Sequence, residues 1–313
     1  MKTMLILLAG VAALSPALNA KIERTVEKTF TVQPGGTLRV ETEGGSIRVE
    51  PAAGDRVEVV AREIIRADSE AEADKLLAKL ELTIEQTGDK VNARAHYPRM
   101  AGWLASGSGA PVQVSFEVKV PAKFNAELYT SGGNLNVGDL TGKITGRTSG
   151  GDVRVGRIDG EVKLSTSGGN IALASATDDV ELTTSGGDIR VKRTGDEAKL
   201  RTSGGNIVIE EAADEVHAST SGGDVTVGFV GTLKDDSELR TSGGGVRVKV
   251  PAGAAFDLDA STSGGAVRAD GLTVKTEKGG SGRRRLKGKV NGGGPTLKLR
   301  SSGGDVRIEA IGS

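Results

Sequence analysis

The residues whose types and spacing could do chemistry form two groups of opposite charge. Asp178, Asp196 and Asp214 recur at one constant interval, and Asp179, Glu197 and Glu215 recur beside them at the same interval. If each interval is one turn of a stack, six carboxylates line one edge, and their mutual repulsion could be relieved by Ca²⁺, a hard cation that takes oxygen ligands. The plainer alternative is a solvated acidic edge that aids solubility, since the G-G-x-G-x-D pattern of calcium-binding solenoids is absent. The second group is "GGSGRRRLKGK", where Arg283, Arg284, Arg285, Lys287 and Lys289 gather. A protruding basic hairpin there could hold an acidic glycan or lipid headgroups, although charge runs are often merely solvated. Trp103, the one tryptophan, sits beside Met100 and Leu104 in "YPRMAGWLASGSGAP". Exposed, it could touch sugar or membrane; folded over the core, it would be ordinary packing.

Other chemistries lack material. The chain has two histidines, His96 and His217, and no cysteine, which leaves almost nothing for a zinc site or a cysteine nucleophile. There is no G-x-S-x-G elbow, and the glycine pairs lack the spacing of phosphate loops. Lys and Arg number 41 against 41 Asp and Glu, a balance that argues against a nucleic-acid binder. No residue is assigned to catalysis, and no organic cofactor is expected.

The elements that must position these groups come from a repeat. T-S-G-G-[N/D] begins at Thr130, Thr148, Thr166, Thr184, Thr202 and Thr220, an 18-residue spacing throughout, and T-S-G-G recurs at Thr241 and Thr262 after intervals of 21. A final copy begins at Ser301 after an interval of 39, which is 18 plus 21, and "TEGGSIRV" from Thr42 is an early relative. A fixed period of this size marks a solenoid. Within one unit, "GDVRV" and "EVKLS" alternate apolar and polar residues, while "SGG" and "GRIDG" are turn chemistry, so two short strands and two turns make one coil.

Stacking aligns Leu135, Val153, Ile171, Ile189, Ile207 and Val225 in one interior column. Val137, Val155, Leu173, Val191, Ile209 and Val227 form a second, and Leu164, Leu182 and Leu200 a third. The motif threonine faces inward at a corner, where its hydroxyl can bond. The glycine pair is expected to supply backbone angles that residues with a Cβ resist. The next position alternates Asn134, Asp152, Asn170, Asp188, Asn206, Asp224, which spaces like charges two coils apart. An outward column of Lys163, Glu181 and Lys199 alternates in sign, and His217 falls in it as a surface residue.

Residues 1–20, "MKTMLILLAGVAALSPALNA", read as a secretory signal peptide, with Lys2, an apolar run from Met4 to Leu14, and cleavage after Ala20 or alternatively Ala17. No later segment is apolar enough to span a membrane as a helix. Residues 21–125 are less regular and read as a capping region with entry coils, a helix from Ser69 to Leu80 with Ala73, Leu76, Leu77 and Leu80 on one face, and a hairpin turning at Thr87-Gly88. Residues 126–313 form the regular solenoid. The expectation is an all-β chain of 18–21-residue coils with one short helix in its cap.

The repeated "TSGGDIRV" (184–191), "VSFEVKVPAKFNAELYTSGGN" and "GKVNGGGPTLKLRSSGGDVRI" resemble the bacterial "putative adhesin" β-solenoid family, over nearly all of the chain after residue 20. The resemblance implies a single-stranded, right-handed β-helix that is exported or envelope-associated. The expected function is a non-catalytic scaffold, periplasmic or at the cell surface, that binds an envelope glycan, a lipid headgroup or a protein partner. The alternatives are a polysaccharide lyase or hydrolase, which rests on fold analogy, and a sensor of envelope damage.

Overall fold

The computed structural model describes residues 21–98 and 111–312. The signal peptide over residues 1–20 and the Trp103 segment lie outside the described residues. The chain divides into two compact units, Met1–Gly151 and Asp152–Ser313.

In the second unit each repeat contributes one strand to each of two parallel sheets. Strands that follow the T-S-G-G corner stack one repeat apart, with Val153 beside Ile171, Ile171 beside Ile189, Ile189 beside Ile207 and Ile207 beside Val225. Strands that lead into the next threonine form the second sheet, with Leu164 beside Leu182 and Leu182 beside Leu200. One coil is therefore one repeat, and the aliphatic columns expected from the spacing are the observed ones in this unit. Ile171, Leu173, Ile189, Val191, Leu182 and Leu200 are each at most 2% exposed. Each such side chain stabilises the fold by roughly 1.5–3 kcal/mol when fully buried, and it is buried only because neighbouring coils cover it.

The corner is held by the threonine hydroxyl. Thr184 Oγ1 donates to the Gly169 carbonyl (2.8 Å), Thr202 to Gly187 (2.9 Å) and Thr220 to Gly205 (2.8 Å), each one coil back. The same oxygens accept from the second glycine of their own motif, as Gly187 N–H does with Thr184 Oγ1 (3.3 Å). The reason for that glycine differs from the expected one. None of Gly187, Gly205 and Gly223 adopts the left-handed region. A Cβ at these positions would lie 2.1, 2.0 and 2.2 Å from the glycine carbonyl oxygen of the preceding coil. Close stacking, not turn geometry, excludes a side chain.

The Asn/Asp position forms its own ladder. Asn170 N–H donates to Asp152 Oδ1 (2.9 Å), Asp188 N–H to Asn170 Oδ1, Asn206 N–H to Asp188 Oδ1 and Asp224 N–H to Asn206 Oδ1 (2.8 Å each). Alternation also lets an amide donate to the carboxylate before it, as Asn206 Nδ2 does to Asp188 Oδ1 (3.3 Å). The backbone N–H of Asn206, aided by the Arg190 guanidinium, holds Asp188 below the usual carboxylate range.

The long interval before Ser301 does not mark a missing coil. Val246 pairs with Val306, and Val306 with Val267. In the second sheet Leu239 pairs with Leu299, and Leu299 with Ala260. The last coil is thus inserted between two earlier ones. The hydroxyls record the same order, since Ser301 Oγ donates to the Gly244 carbonyl (2.8 Å) and Thr262 Oγ1 to the Gly304 carbonyl (2.7 Å). Beyond it, Arg285–Val290 and Val274–Gly282 extend the second sheet antiparallel.

The first unit has a related arrangement. Thr37–Thr42 lies parallel between Asn125–Thr130 and Lys90–His96. Ile47–Ala52 lies parallel between Leu135–Val137 and Val112–Pro121. The early "TEGG" copy is a true coil, because Thr42 Oγ1 donates to the Val114 carbonyl (2.7 Å) and Thr130 Oγ1 to the Gly45 carbonyl (2.8 Å). Antiparallel strands Arg56–Arg66, Lys21–Thr31 and Glu81–Thr87 follow outward, the last joined to Lys90–His96 at Gly88 (φ 58°). The helix is shorter than expected, Glu70–Leu77, capped by Ser69, whose Oγ accepts from Glu72 N–H (3.2 Å). Ala73 is its buried residue, Leu76 and Leu77 are half-buried, and Leu80 lies past its end. Arg24 ties the helix to Lys21–Thr31 through Glu70 (2.9 Å) and Asp74 (2.7 Å).

Glu63, 6% exposed and paired in register with Arg24, is the one acid among the buried polar side chains of the described residues. Burial pushes its pKa above the usual carboxylate value, against the pull of Arg24.

Two stability measurements check this account. Gly187→Ala should cost about 3 kcal/mol or more in urea unfolding, through overlap with the Gly169 carbonyl. Its neighbour Gly186→Ala, whose Cβ would sit 3.4 Å from the nearest oxygen, should cost far less. For Glu63 the folded pKa is raised, so its contribution is present at acid pH and is lost as pH rises past the unfolded value of 4.5. Glu63→Gln should therefore raise stability over the parent at pH 8, and the gain should vanish near pH 4.

Candidate functional site

The two charged groups lie at different places on the second unit. Along the acidic edge, the Asp179, Glu197 and Glu215 carbonyls accept the N–H groups of Val162, Val180 and Ala198 (2.9 Å each), which fixes these residues one coil apart. Their repulsion is offset by lysines from the chain itself. Lys199 Nζ lies 2.6 Å from Glu197 Oε2, and Lys234 Nζ lies 3.0 Å from Asp214 Oδ2. His217 Nε2 lies 2.5 Å from Glu215 Oε1 and 3.9 Å from Glu197 Oε1. Thr177 Oγ1 donates to Asp178 Oδ1 (3.0 Å). The Glu197 carboxylate raises the Lys199 pKa, with Glu215 and Asp179 adding, and Asp214 does the same for Lys234. Lys234 belongs to the first of the longer repeats, so the added length brings a lysine over Asp214. Among the described residues, Asp214 Oδ1 and the hydroxyl of Thr194 are buried with no hydrogen-bond partner.

Among the described residues one group has donors close enough to share an ion. Glu197, Glu215 and His217 each offer one ligand atom, all within 4.8 Å of one another. Two carboxylates with an imidazole suit a borderline ion such as Zn²⁺ better than Ca²⁺, which prefers oxygen throughout. The sequence reading placed His217 correctly beside Lys199, in register, but gave it no part in the acidic edge.

The basic group is clamped rather than protruding. The Arg283 carbonyl accepts Val267 N–H (2.9 Å) and the Arg284 carbonyl accepts Thr262 N–H (3.0 Å), so the arginine turn closes over the Thr262 corner. The side chains of Arg283, Arg284 and Arg285 remain exposed. Lys287 and Lys289 lie on the sheet opposite Asp259 and Asp257. Partial burial opposes ionisation of Asp259, yet Arg300 at 2.6 Å, with Arg285 and Lys287 near, holds its carboxyl below the usual range.

A row of outward side chains in the second sheet escaped the sequence reading. Arg201, Ser219, Arg240, Arg300, Ser261 and Arg285 are successive neighbours in register. The signal was present, because arginine directly precedes the motif at Arg147, Arg201, Arg240 and Arg300. In the first unit, Arg147 pairs in register with Tyr129, which carries Arg39 over its ring at 4.9 Å. Tyr129 and Arg147 border a groove of about 300 Å³ that also includes Arg94 and His96, the latter 2.9 Å from Glu43.

Among the described residues no helix is long and apolar enough to cross a membrane. No curated protein matches the chain. A crystal structure described as a putative adhesin from Bacteroides fragilis NCTC 9343 is similar at 15% identity, covering 92% of this chain and 97% of that one, with a TM-score of 0.44. A crystal structure described as a putative lipid binding protein from Parabacteroides distasonis ATCC 8503 is similar at 13% identity, covering 91% and 96%, with a TM-score of 0.43. The Toastrack DUF4097 family model matches residues 36–309, a span that holds most of both sheets and the T-S-G-G corners. The chain belongs to the Toastrack DUF4097 family.

Proposed function

We propose that the chain is an exported, non-catalytic β-solenoid of the bacterial envelope that binds an anionic envelope component through the basic end of its second unit. The observation that carries this reading is the arginine turn. Its backbone is fixed by two hydrogen bonds to the Thr262 coil, while Arg283, Arg284 and Arg285 stay exposed. A clamped backbone presents three guanidinium groups without the ordering cost of a flexible loop. Export rests on the leader-like residues 1–20.

The repeat itself supports a structural role for most of the polar groups. Its threonine hydroxyls bond backbone of the preceding coil, and its Asn/Asp oxygens bond backbone of the next. Lys199, Lys234, Asp188 and Asp259 are each shifted toward the charged form by an ion pair or a hydrogen bond. Those directions suit fixed charge pairs, whereas proton transfer at neutral pH calls for pKa values drawn toward 7.

The test is co-sedimentation of residues 21–313 with envelope fractions and acidic polysaccharide, with the supernatant assayed for released sugar. Saturable binding should weaken by about tenfold or more when Arg283, Arg284 and Arg285 are changed together to Gln, and should fall with added salt. Released sugar would overturn the non-catalytic reading. Undiminished binding by the triple variant would overturn the assignment of the contact.

A further inference from the structure

We infer that the arginine row of the second sheet is a track for a linear, carboxylate-bearing polysaccharide lying across the strands of the second unit. The inference rests on the reading that this unit binds an anionic envelope component, and it names the polymer and a surface beyond the arginine turn.

The row is Arg201, Ser219, Arg240, Arg300, Ser261 and Arg285, one residue per strand in register. It contains guanidinium groups and hydroxyls and no carboxylate. The adjacent outward row, two residues back along each strand, has the opposite character. There Lys163 meets Glu181 at 2.5 Å and Lys298 meets Glu238 at 3.0 Å, so that row neutralises itself. Sign alternation is the ordinary way a ladder of charged side chains avoids repulsion. The arginine row dispenses with it, and Arg240 and Arg300 stand directly opposite each other as like charges. Arg300 is tied to Asp259. Arg201 and Arg240 are exposed and form no ion pair among the described residues.

The surroundings fit a sugar polymer. On the corner side the row is followed by the exposed motif serines Ser203, Ser221, Ser242 and Ser302, a line of hydroxyls parallel to the arginines. Neighbouring strands are about 4.8 Å apart, so Arg201 and Arg240 stand about 9.6 Å from each other, as do Arg300 and Arg285. Guanidinium binds a carboxylate through two parallel hydrogen bonds, which favours carboxylates presented at intervals along a chain. A bilayer would call for positive charge spread over a plane, but the next row is already paired. A single-stranded nucleic acid would call for aromatic rings to stack on, and the row has none.

The probe is a set of oligogalacturonates of increasing length, measured by calorimetry against residues 21–313. Anionic phospholipid vesicles, single-stranded DNA and neutral dextran serve as comparisons. Affinity should rise with length until the row is spanned, and Arg201→Gln with Arg240→Gln should lose about tenfold for long oligomers. These positions are exposed, so the melting temperature of the double variant should equal that of the parent. Arg201→Lys with Arg240→Lys should restore only part of the affinity, because the charge returns without the paired hydrogen bonds. If the double variant binds as the parent does while Arg283→Gln with Arg284→Gln fails to bind, the track is wrong and the arginine turn stands. Preference for vesicles or DNA over oligogalacturonate would also overturn the track. If the parent binds none of the anionic probes, both readings fall.

Discussion

Everything in the repeat depends on how closely one corner lies on the next. At Gly187, Gly205 and Gly223, the second glycines of their motifs, the carbonyl of the preceding coil occupies the place where a Cβ would be. The threonine hydroxyl bridges that same carbonyl and the glycine N–H of its own turn. A buried hydroxyl that both donates and accepts is satisfied only while both coils are in place. The bond is therefore a register device as much as a source of stability. It sets where each coil begins, and the aliphatic columns of both sheets follow from that starting point.

The same arrangement divides labour among the side chains. Inward positions are taken by Val, Ile and Leu, and corner positions by Thr, Gly and Asn or Asp, each with a fixed backbone partner. What remains free to vary is the outward face. There the chain places a self-neutralising row, an acidic edge covered by its own lysines, and a row of arginines in which Arg201 and Arg240 stay exposed. Because the scaffold fixes strand spacing, outward residues sit at set intervals with little ordering cost. A surface of this kind can be altered one residue at a time without touching the core.

How much of this was legible in the sequence depends on whether the signal was periodic. The interior columns and the one-coil-per-repeat register followed from the spacing of Val153, Ile171 and Ile189, because a packing interaction renewed on every coil leaves the same residue type at every period. The order of the last coils did not follow. Nothing local distinguishes a Ser301 coil placed after Thr262 from one placed before it, since both would bury the same faces. The role of the glycines was misjudged for a related reason, as a close approach between coils and an unusual turn angle leave the same residue in the sequence. Lys234 was hidden in the short insertion that breaks the period. The arginine row was visible at Arg201 and Arg240 but lies just outside the T-S-G-G motif.

In each unit one coil formed near a chain end is enclosed on both sides by chain that is distant in sequence. Thr37–Thr42 is flanked by strands made later, and Thr296–Ser301 by strands made earlier. A simple solenoid can be peeled from its tip, one ladder at a time. Here a pull on the last strand meets two ladders loaded together in shear, so the tail behaves as a wedged slat and not as a loose thread. The geometry also orders assembly, because the slot for the final coil has no second wall until the chain through Thr262 has been laid down. A pull on Thr296–Ser301 therefore meets more resistance than one on Lys21–Thr31, which lies at a sheet edge and is held by a single ladder.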